Sequence, residues 1–266
     1  MRLSLGKEVM RLMVVGLYVF LYAPIGYIIY VAFQQDSVWP FPPSFTLEHF
    51  DSLMALDIYH VGLLNSLIIG SGTGVLATLL ATAAVIGVLR YRVPGRALAA
   101  VFFLSPLFIA HVLIGIATLM FNRTILGLPG HIAAAILANA TYATAFAFLV
   151  VLAQLARYDW RYDEAAMVFG ATPVRTFFHV TLPLIWPAML GAFIVSFLLA
   201  FNNLEISFYN LGATPTLPTL AWGKLRHGIS EELYALAALL NLTVFALLGV
   251  FYLLLRSGLL KIEFRD

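Results

Sequence analysis

The chain contains no cysteine, which excludes disulfides and thiolate metal sites. Charge is the second scarcity: 11% of the 266 residues are charged, while 62% are hydrophobic. An ordinary soluble domain carries roughly 25% charged residues. This chain lacks the polar surface to stay dispersed in water, so the bilayer is its solvent. The net charge of +2 is too small to argue for nucleic acid. The six histidines, at 49, 60, 111, 131, 179 and 227, show no paired helical spacing of the kind a metal site uses. No Gly-x-x-x-x-Gly-Lys-Ser/Thr phosphate loop occurs, so the chain cannot hydrolyse ATP by itself. A six-helix intramembrane protease needs a Gly-x-Ser-Gly nucleophile and a helical His base. Here Ile69 stands two positions before Ser71-Gly72, and the last apolar run holds no His. A secondary transporter would show inverted repeats and broken helices near the midplane. No convincing internal repeat is present, and no ion-binding carboxylate lies near mid-depth.

What is present is apolar length. A transmembrane helix needs about 20 mostly apolar residues, and six runs qualify: 11–33, 62–88, 97–120, 131–153, 187–209 and 235–256. The fold class is therefore all-α and integral to the membrane, one transmembrane domain over 1–266. With the N-terminus inside, the inner segments hold Arg2, Lys7, Arg11, Arg90, Arg92, Arg96, Arg157, Arg161, Arg175, Arg256, Lys261 and Arg265. Only Arg123, Lys224 and Arg226 fall outside. This bias places both termini in the cytoplasm. No small-residue cleavage site follows the first run cleanly, so it reads as an uncleaved helix. Pro24 and Pro106 are expected to bend the first and third helices, since each removes a backbone donor.

The second helix carries Ser66, Gly70, Gly74, Thr78 and Thr82 at four-residue intervals. Such a small-residue stripe lets helix backbones approach closely. It serves packing within the bundle, or sliding as a path opens. Two outer loops are long, a length that is commonly functional. Residues 34–61 carry Asp36, Trp39, Pro40, Glu48, His49, Asp51 and Asp57; residues 210–234 carry Trp222, Lys224, Arg226, Glu231 and Glu232. They offer a mixed-charge, aromatic landing surface, or cap the bundle with short interfacial helices at 46–56 and 219–228.

Residues 154–186 form the one large cytoplasmic loop. Leu155 to Phe169 is expected to be helical, with Arg157, Asp159, Arg161, Asp163 and Glu164 on its polar side. Gly170 ends that helix, because glycine tolerates the left-handed conformation of a C-cap. Thr172-Pro173 restarts one, with Thr as N-cap and Pro at the first helical position. The second helix carries Phe177, Phe178 and Val180 and stops near Leu182-Pro183. Small Ala165 and Ala166 allow close seating in a groove of another protein. Glu164 can anchor to a basic or hydrogen-bonding partner, and the Gly170 turn presents the element as a knob.

The triplet Glu164-Ala165-Ala166, then Gly170, Val180 and Leu182-Pro183, resembles the EAA loop of ABC-transporter permeases, the surface on which an ATPase acts. From about Asn65 to Leu255 the chain is similar to binding-protein-dependent permeases of the spermidine/putrescine type. Asn65-Ser66-Leu67, Leu217-Pro218, Trp222-Gly223-Lys224-Leu225-Arg226-His227-Gly228 and Glu231-Glu232-Leu233-Tyr234-Ala235-Leu236-Ala237 carry that likeness beyond the loop. The resemblance implies the six-helix importer-permease (MetI-like) fold in a bacterial inner membrane. It also implies a second related permease, two cytoplasmic ATPase subunits that bind ATP-Mg, and an extracytoplasmic solute-binding protein. No cofactor is expected on this chain. Glu164, Ala165, Ala166, Gly170, Arg175 and Phe177 become the ATPase-coupling residues.

One departure stands out. Polyamine permeases of this type have an acidic pair towards the outer end of the fifth helix, and by register it falls here on Asn202 and Asn203, with Glu205 following. On a straight helix from Pro187 rising about 1.5 Å per residue, Asn202 sits roughly 22 Å and Glu205 roughly 27 Å up. Both then belong to the outer third of a core about 30 Å thick. Asn202, Asn203 and Glu205 line an outer gate or translocation path, or hydrogen-bond between the two permeases. Two amides in place of two acids weaken the case for a polycation and leave zwitterionic or phosphonate-type solutes open. His111, in the third run, reads as a neutral hydrogen-bonding residue rather than a proton relay.

Overall fold

The computed structural model describes residues 2–36, 41–91, 95–226, 228 and 231–256, with side chains from 7 to 253. Trp39, Pro40, Arg92, His227, Lys261 and Arg265, and the side chains of Arg2 and Arg256, lie outside the described residues. Among the described residues there is no strand; a single bridge joins Gln34 and Phe45. Among the described residues five helices are long and apolar enough to cross a membrane, and one bent helix pair makes a sixth where it is a single broken span. The chain divides into two compact units, Met1–His60 with Leu220–Leu248, and Val61–Thr219 with Gly249–Asp266.

The first unit holds α1 (Arg2–Ala32), α2 (Glu48–Met54), the start of α3 (Asp57–Leu89), most of α11 (Leu217–Arg226) and most of α12 (Glu231–Arg256). Helix α1 runs on through Pro24; its apolar side chains are exposed over Val9–Tyr22, while Val31 and Ala32 at its end are buried. The loop after α1 is pinned by Gln34, whose side-chain oxygen accepts from Ser44 N–H at 2.9 Å while its carbonyl lies 3.0 Å from His49 Nε2. Lys224 pairs with Glu232 and stands 5.9 Å from the Tyr59 ring. Helices α2 and α11 match the short helices expected at 46–56 and 219–228.

The second unit is built on α3, α6 (Ile132–Leu155) and α9 (Leu182–Phe201). Ala77, Ala81 and Val85 of α3, Ala143, Ala147, Phe148 and Val151 of α6, and Ile185, Met189 and Ala192 of α9 form its core. Alanine dominates because these helices pack at close range, where dispersion replaces the hydrophobic drive that lipid cannot provide. The stripe on α3 is part of this packing. A Cβ at Gly70 would lie 2.9 Å from the Phe197 ring, and one at Gly74 2.8 Å from the Phe193 ring and 3.1 Å from its carbonyl oxygen. Ser66 Oγ accepts from Leu217 N–H at 3.0 Å, and Asn65 donates to the Pro215 carbonyl at 2.8 Å.

Three expectations are corrected. The run 97–120 is not one helix. Helix α4 (Arg96–Leu104) continues as a 3₁₀ turn, Ser105–Phe108, and after extended Ile109 and Ala110 the chain restarts as α5 (His111–Thr124), bent by 109° from α4. Pro106, which lacks an N–H, sits in the 3₁₀ turn, so the break is far sharper than a kink. The run 187–209 also breaks: α9 ends at Phe201, and α10 (Glu205–Asn210) begins after a gap at Asn202–Leu204. Depths taken from a straight helix do not apply to Glu205. Finally, no helix spans Leu155–Phe169, and the helix after Gly170 does not stop at Leu182-Pro183. Helix α6 ends at Leu155, and α7 is Arg161–Val168. Helix α8 (Pro173–Thr176) passes through a π turn, Phe177–Thr181, directly into α9. A wide π turn just before Pro183 accommodates a ring that would clash with the preceding α turn. The residues up to 186 thus belong partly to the fifth span, Pro173–Phe201.

Candidate functional site

Two places gather the residues that composition and spacing single out. The first is the connection from α6 to α8. Gly170 adopts φ +91, and the turn closes as a Schellman motif: Ala171 N–H donates to Ala166 carbonyl at 3.1 Å and Gly170 N–H to Met167 carbonyl at 3.0 Å. Thr172 then caps α8, its hydroxyl accepting from Arg175 N–H at 3.3 Å, with Pro173 at the first helical position. These local signals place the turn as expected. Glu164, Ala165, Gly170 and Arg175 are exposed, and Ala166 and Phe177 half-buried, so all six form or border one protruding turn. The tip carries two residues the sequence reading did not single out: Val168 is 84% exposed and Phe169 91%. Large apolar side chains on a short polar helix are the signal that marks them.

Beneath the tip, Asp163 is 1% exposed. Arg90 Nη1 lies 2.7 Å from its Oδ2. Tyr158 donates to Oδ1 at 2.7 Å, and Thr181 donates to both oxygens at 3.0 and 3.1 Å. The Arg90 guanidinium also faces the rings of Trp160, at 5.4 Å, and Tyr91, at 5.9 Å. Burial first, and then the hydrogen bond to Asp163, push the Tyr158 phenol well above its ordinary value, which keeps it a donor. Removing one member of a buried ion pair costs about 3–5 kcal/mol. The sequence reading placed Asp163 on the polar side of a surface helix; its burial corrects that.

The second place is a cavity of about 550 Å³ where the two broken spans meet, lined by His111, Tyr142, Val195, Leu198, Leu199, Asn202, Asn203, Leu204 and Glu205. Asn202 ends α9 and is exposed, its amide donating to Leu198 carbonyl at 3.3 Å. Asn203 is turned inward, 9% exposed, and its side-chain oxygen accepts from Ile206 N–H at 2.8 Å, so it holds the start of α10. Glu205 opens α10 and His111 opens α5. Their side chains approach to 3.6 Å and are 46% and 38% exposed. The His111 ring meets Tyr142 edge-on at 4.3 Å between centroids. The cavity wall is therefore mostly apolar in surface, with one carboxylate, one imidazole, one phenol and the exposed Asn202 amide.

A buried amide ladder fixes the short helix beside it. Asn210 donates to Gly115 carbonyl and Thr118 Oγ1, each at 3.1 Å, and accepts from Asn122 at 3.0 Å. Asn139 donates to Ser207 Oγ at 3.1 Å. Gly115 permits the approach, since a Cβ there would lie 2.9 Å from Tyr209 and 3.2 Å from the Ile206 backbone. Helix α10 is thus tied to α5 and α6 by interhelical hydrogen bonds worth roughly 0.6–2 kcal/mol each.

No protein-family profile matches the chain. It is 29% identical over 230 residues to the putrescine transport system permease protein PotI of Escherichia coli K12, covering 84% of this chain and 82% of the relative. It is 24% identical over 226 residues to the spermidine/putrescine permease PotC of the same strain, with 85% of each covered. Over 208 residues it is 29% identical to a putative 2-aminoethylphosphonate transport system permease protein, PhnV, of Salmonella typhimurium LT2, covering 78% of this chain and 76% of the relative. The fold superposes with a TM-score of 0.68 on a chain of a bacterial ABC transporter involved in import of the polysaccharide alginate, at 18% identity and 98% and 97% coverage. Against the MetNI methionine ABC transporter in an inward-facing conformation the TM-score is 0.61, at 17% identity and 78% and 98% coverage. Homology and fold agree: over most of its length the chain is similar to permease proteins of polyamine and aminophosphonate transport systems, and it shares the fold of ABC-importer permease chains.

Proposed function

We propose that this chain forms half of a translocation path, paired with a second permease, and that two cytoplasmic ATPase subunits drive it through the α7–Gly170 turn. The observation that carries this is the tip itself. Val168 and Phe169 project from a cap-locked turn between two spans, and apolar side chains held out this far mark an interaction surface. An ATPase groove that takes Ala165 and Ala166 at close range, with Glu164 and Arg175 at its polar rim, fits that surface. ATP-Mg belongs to the ATPase. An extracytoplasmic binding protein delivers solute, its seat being the loops 34–61 and 210–234. Closure of the ATPase pair carries the turn with it, and the path alternates between outward and inward access.

The solute we favour is a small amine of the polyamine class. Glu205 gives the cavity one carboxylate, and Tyr142 adds an aromatic face suited to an ammonium group. PotI and PotC, by name, transport putrescine and spermidine/putrescine. A second reading has its own support: Asn202 and Asn203 stand where polyamine permeases have acids, and PhnV is named for a phosphonate-bearing amine. The test is ATP hydrolysis by the complex of this chain, its companion permease, ATPases and binding protein in liposomes. Putrescine and spermidine are titrated beside 2-aminoethylphosphonate. Stimulation by the polyamines alone is expected. Stimulation by the aminophosphonate alone transfers the assignment to the second class, and absence of any co-purifying ATPase refutes the docking reading.

A further inference from the structure

Asp163 is the one buried residue of α7; its neighbours Tyr162 and Glu164 are exposed. A carboxylate withdrawn from water must be neutralised and hydrogen-bonded, and its three partners come from three separate elements. Arg90 follows the end of α3, Tyr158 lies in the joint between α6 and α7, and Thr181 closes the π turn that runs into α9. Without these bonds, α7 would be held to the spans chiefly by the non-helical joints at 156–160 and 169–172. Joints that short and irregular absorb a push by bending. Charge-assisted bonds to a buried carboxylate are among the stronger polar contacts a protein makes, and they bypass both joints.

We infer that Arg90, Asp163, Tyr158 and Thr181 form a strut that carries displacement of α7 into the spans α3 and α9, with Asp163 as the positioning residue. The strut rests on the reading that an ATPase seats on the α7–Gly170 turn. The π turn has a place in it, since its wider winding lies where Thr181 reaches both carboxylate oxygens. Trp160 and Tyr91 flank Arg90 and keep its fork aimed. Coupling claims of this kind need evidence that the contacts act as one unit, and a substitution cycle supplies it.

Because the chain has no cysteine, Leu199→Cys places a single thiol on this chain's cavity wall. Its labelling by an impermeant thiol reagent is followed in the full complex in liposomes, with no nucleotide and with ATP plus vanadate. The parent is expected to show rates differing at least fivefold between the two states. With Asp163→Asn the ATPases still co-purify and ATP is still hydrolysed, but the ratio falls towards one. Arg90→Gln produces the same loss, and the double variant adds nothing. Tyr158→Phe and Thr181→Val, which each remove one hydroxyl donor and keep the ion pair, give intermediate ratios. A full ratio in assembled Asp163→Asn overturns the strut. If that variant fails to assemble, unchanged ratios in both Tyr158→Phe and Thr181→Val overturn it instead. A parent ratio of one refutes transmission itself, whereas a parent that captures no ATPase refutes the docking reading.

Discussion

At the scale of single residues, the α7–Gly170 turn and the cavity make different demands. Gly170 holds φ +91, a conformation that costs a side-chain-bearing residue about 1–2 kcal/mol. Gly170→Val is therefore expected to distort the turn without unfolding spans that pack elsewhere. Uptake should fall at least tenfold while membrane yield stays within twofold, read by transport assays beside immunoblots; normal uptake would show that the turn's geometry is dispensable. Gly170→Asp adds a charge beside Phe169 and should uncouple hydrolysis from uptake in the same assays. Glu205 faces the cavity with 46% of its side chain exposed, so Glu205→Gln leaves packing alone and removes the one carboxylate on that wall. Uptake of putrescine should drop by an order of magnitude with assembly unchanged. Unaltered putrescine kinetics would take Glu205 out of the path.

At the scale of elements, what the sequence made legible depended on whether the signal was local. Thr172, Pro173 and Gly170 determine caps through atoms a few residues away, and the structure places that turn where they point. The small stripe on α3 was legible as a close approach, and Phe193 and Phe197 of α9 are what it approaches. The broken spans were not legible, because hydropathy sums over a run and is blind to backbone direction. Pro106 signalled a disturbance but not a bend of 109°. Asn202-Asn203 inside an apolar run was the available sign of a helix end, since one terminates α9 and the other holds the start of α10. Asp163 was invisible for a further reason: its counter-ion, Arg90, lies far along the chain, and no periodicity links them. The same packing yields a prediction. Gly74→Leu inserts a side chain where even a Cβ would sit 2.8 Å from Phe193, and overpacking of this kind costs about 1–3 kcal/mol. Detergent-solubilised protein should lose thermal stability, while Gly87→Leu, at a position with open space, should not. Equal losses in both would mean that the α3–α9 contact does not govern stability.

At the scale of the whole molecule, the distribution of charge sets which side each functional surface meets. Twelve of the fifteen basic residues fall on the segments assigned inside, and orientation follows the Lys and Arg near the ends of the spans. On the proposed function, the turn carrying Phe169 is expected to face the ATPase compartment, and α2 the compartment of the binding protein. The absence of cysteine makes this directly measurable, because one introduced thiol reports one position. Phe169→Cys, 91% exposed in the parent residue, should react with an impermeant maleimide in inverted membrane vesicles and stay unlabelled in intact spheroplasts. Glu48→Cys, at the exposed start of α2, should show the opposite pattern. Labelling of both from one side would require an even number of crossings between them, which the three crossings of α3, the bent pair α4–α5 and α6 do not allow, and would refute the assigned topology.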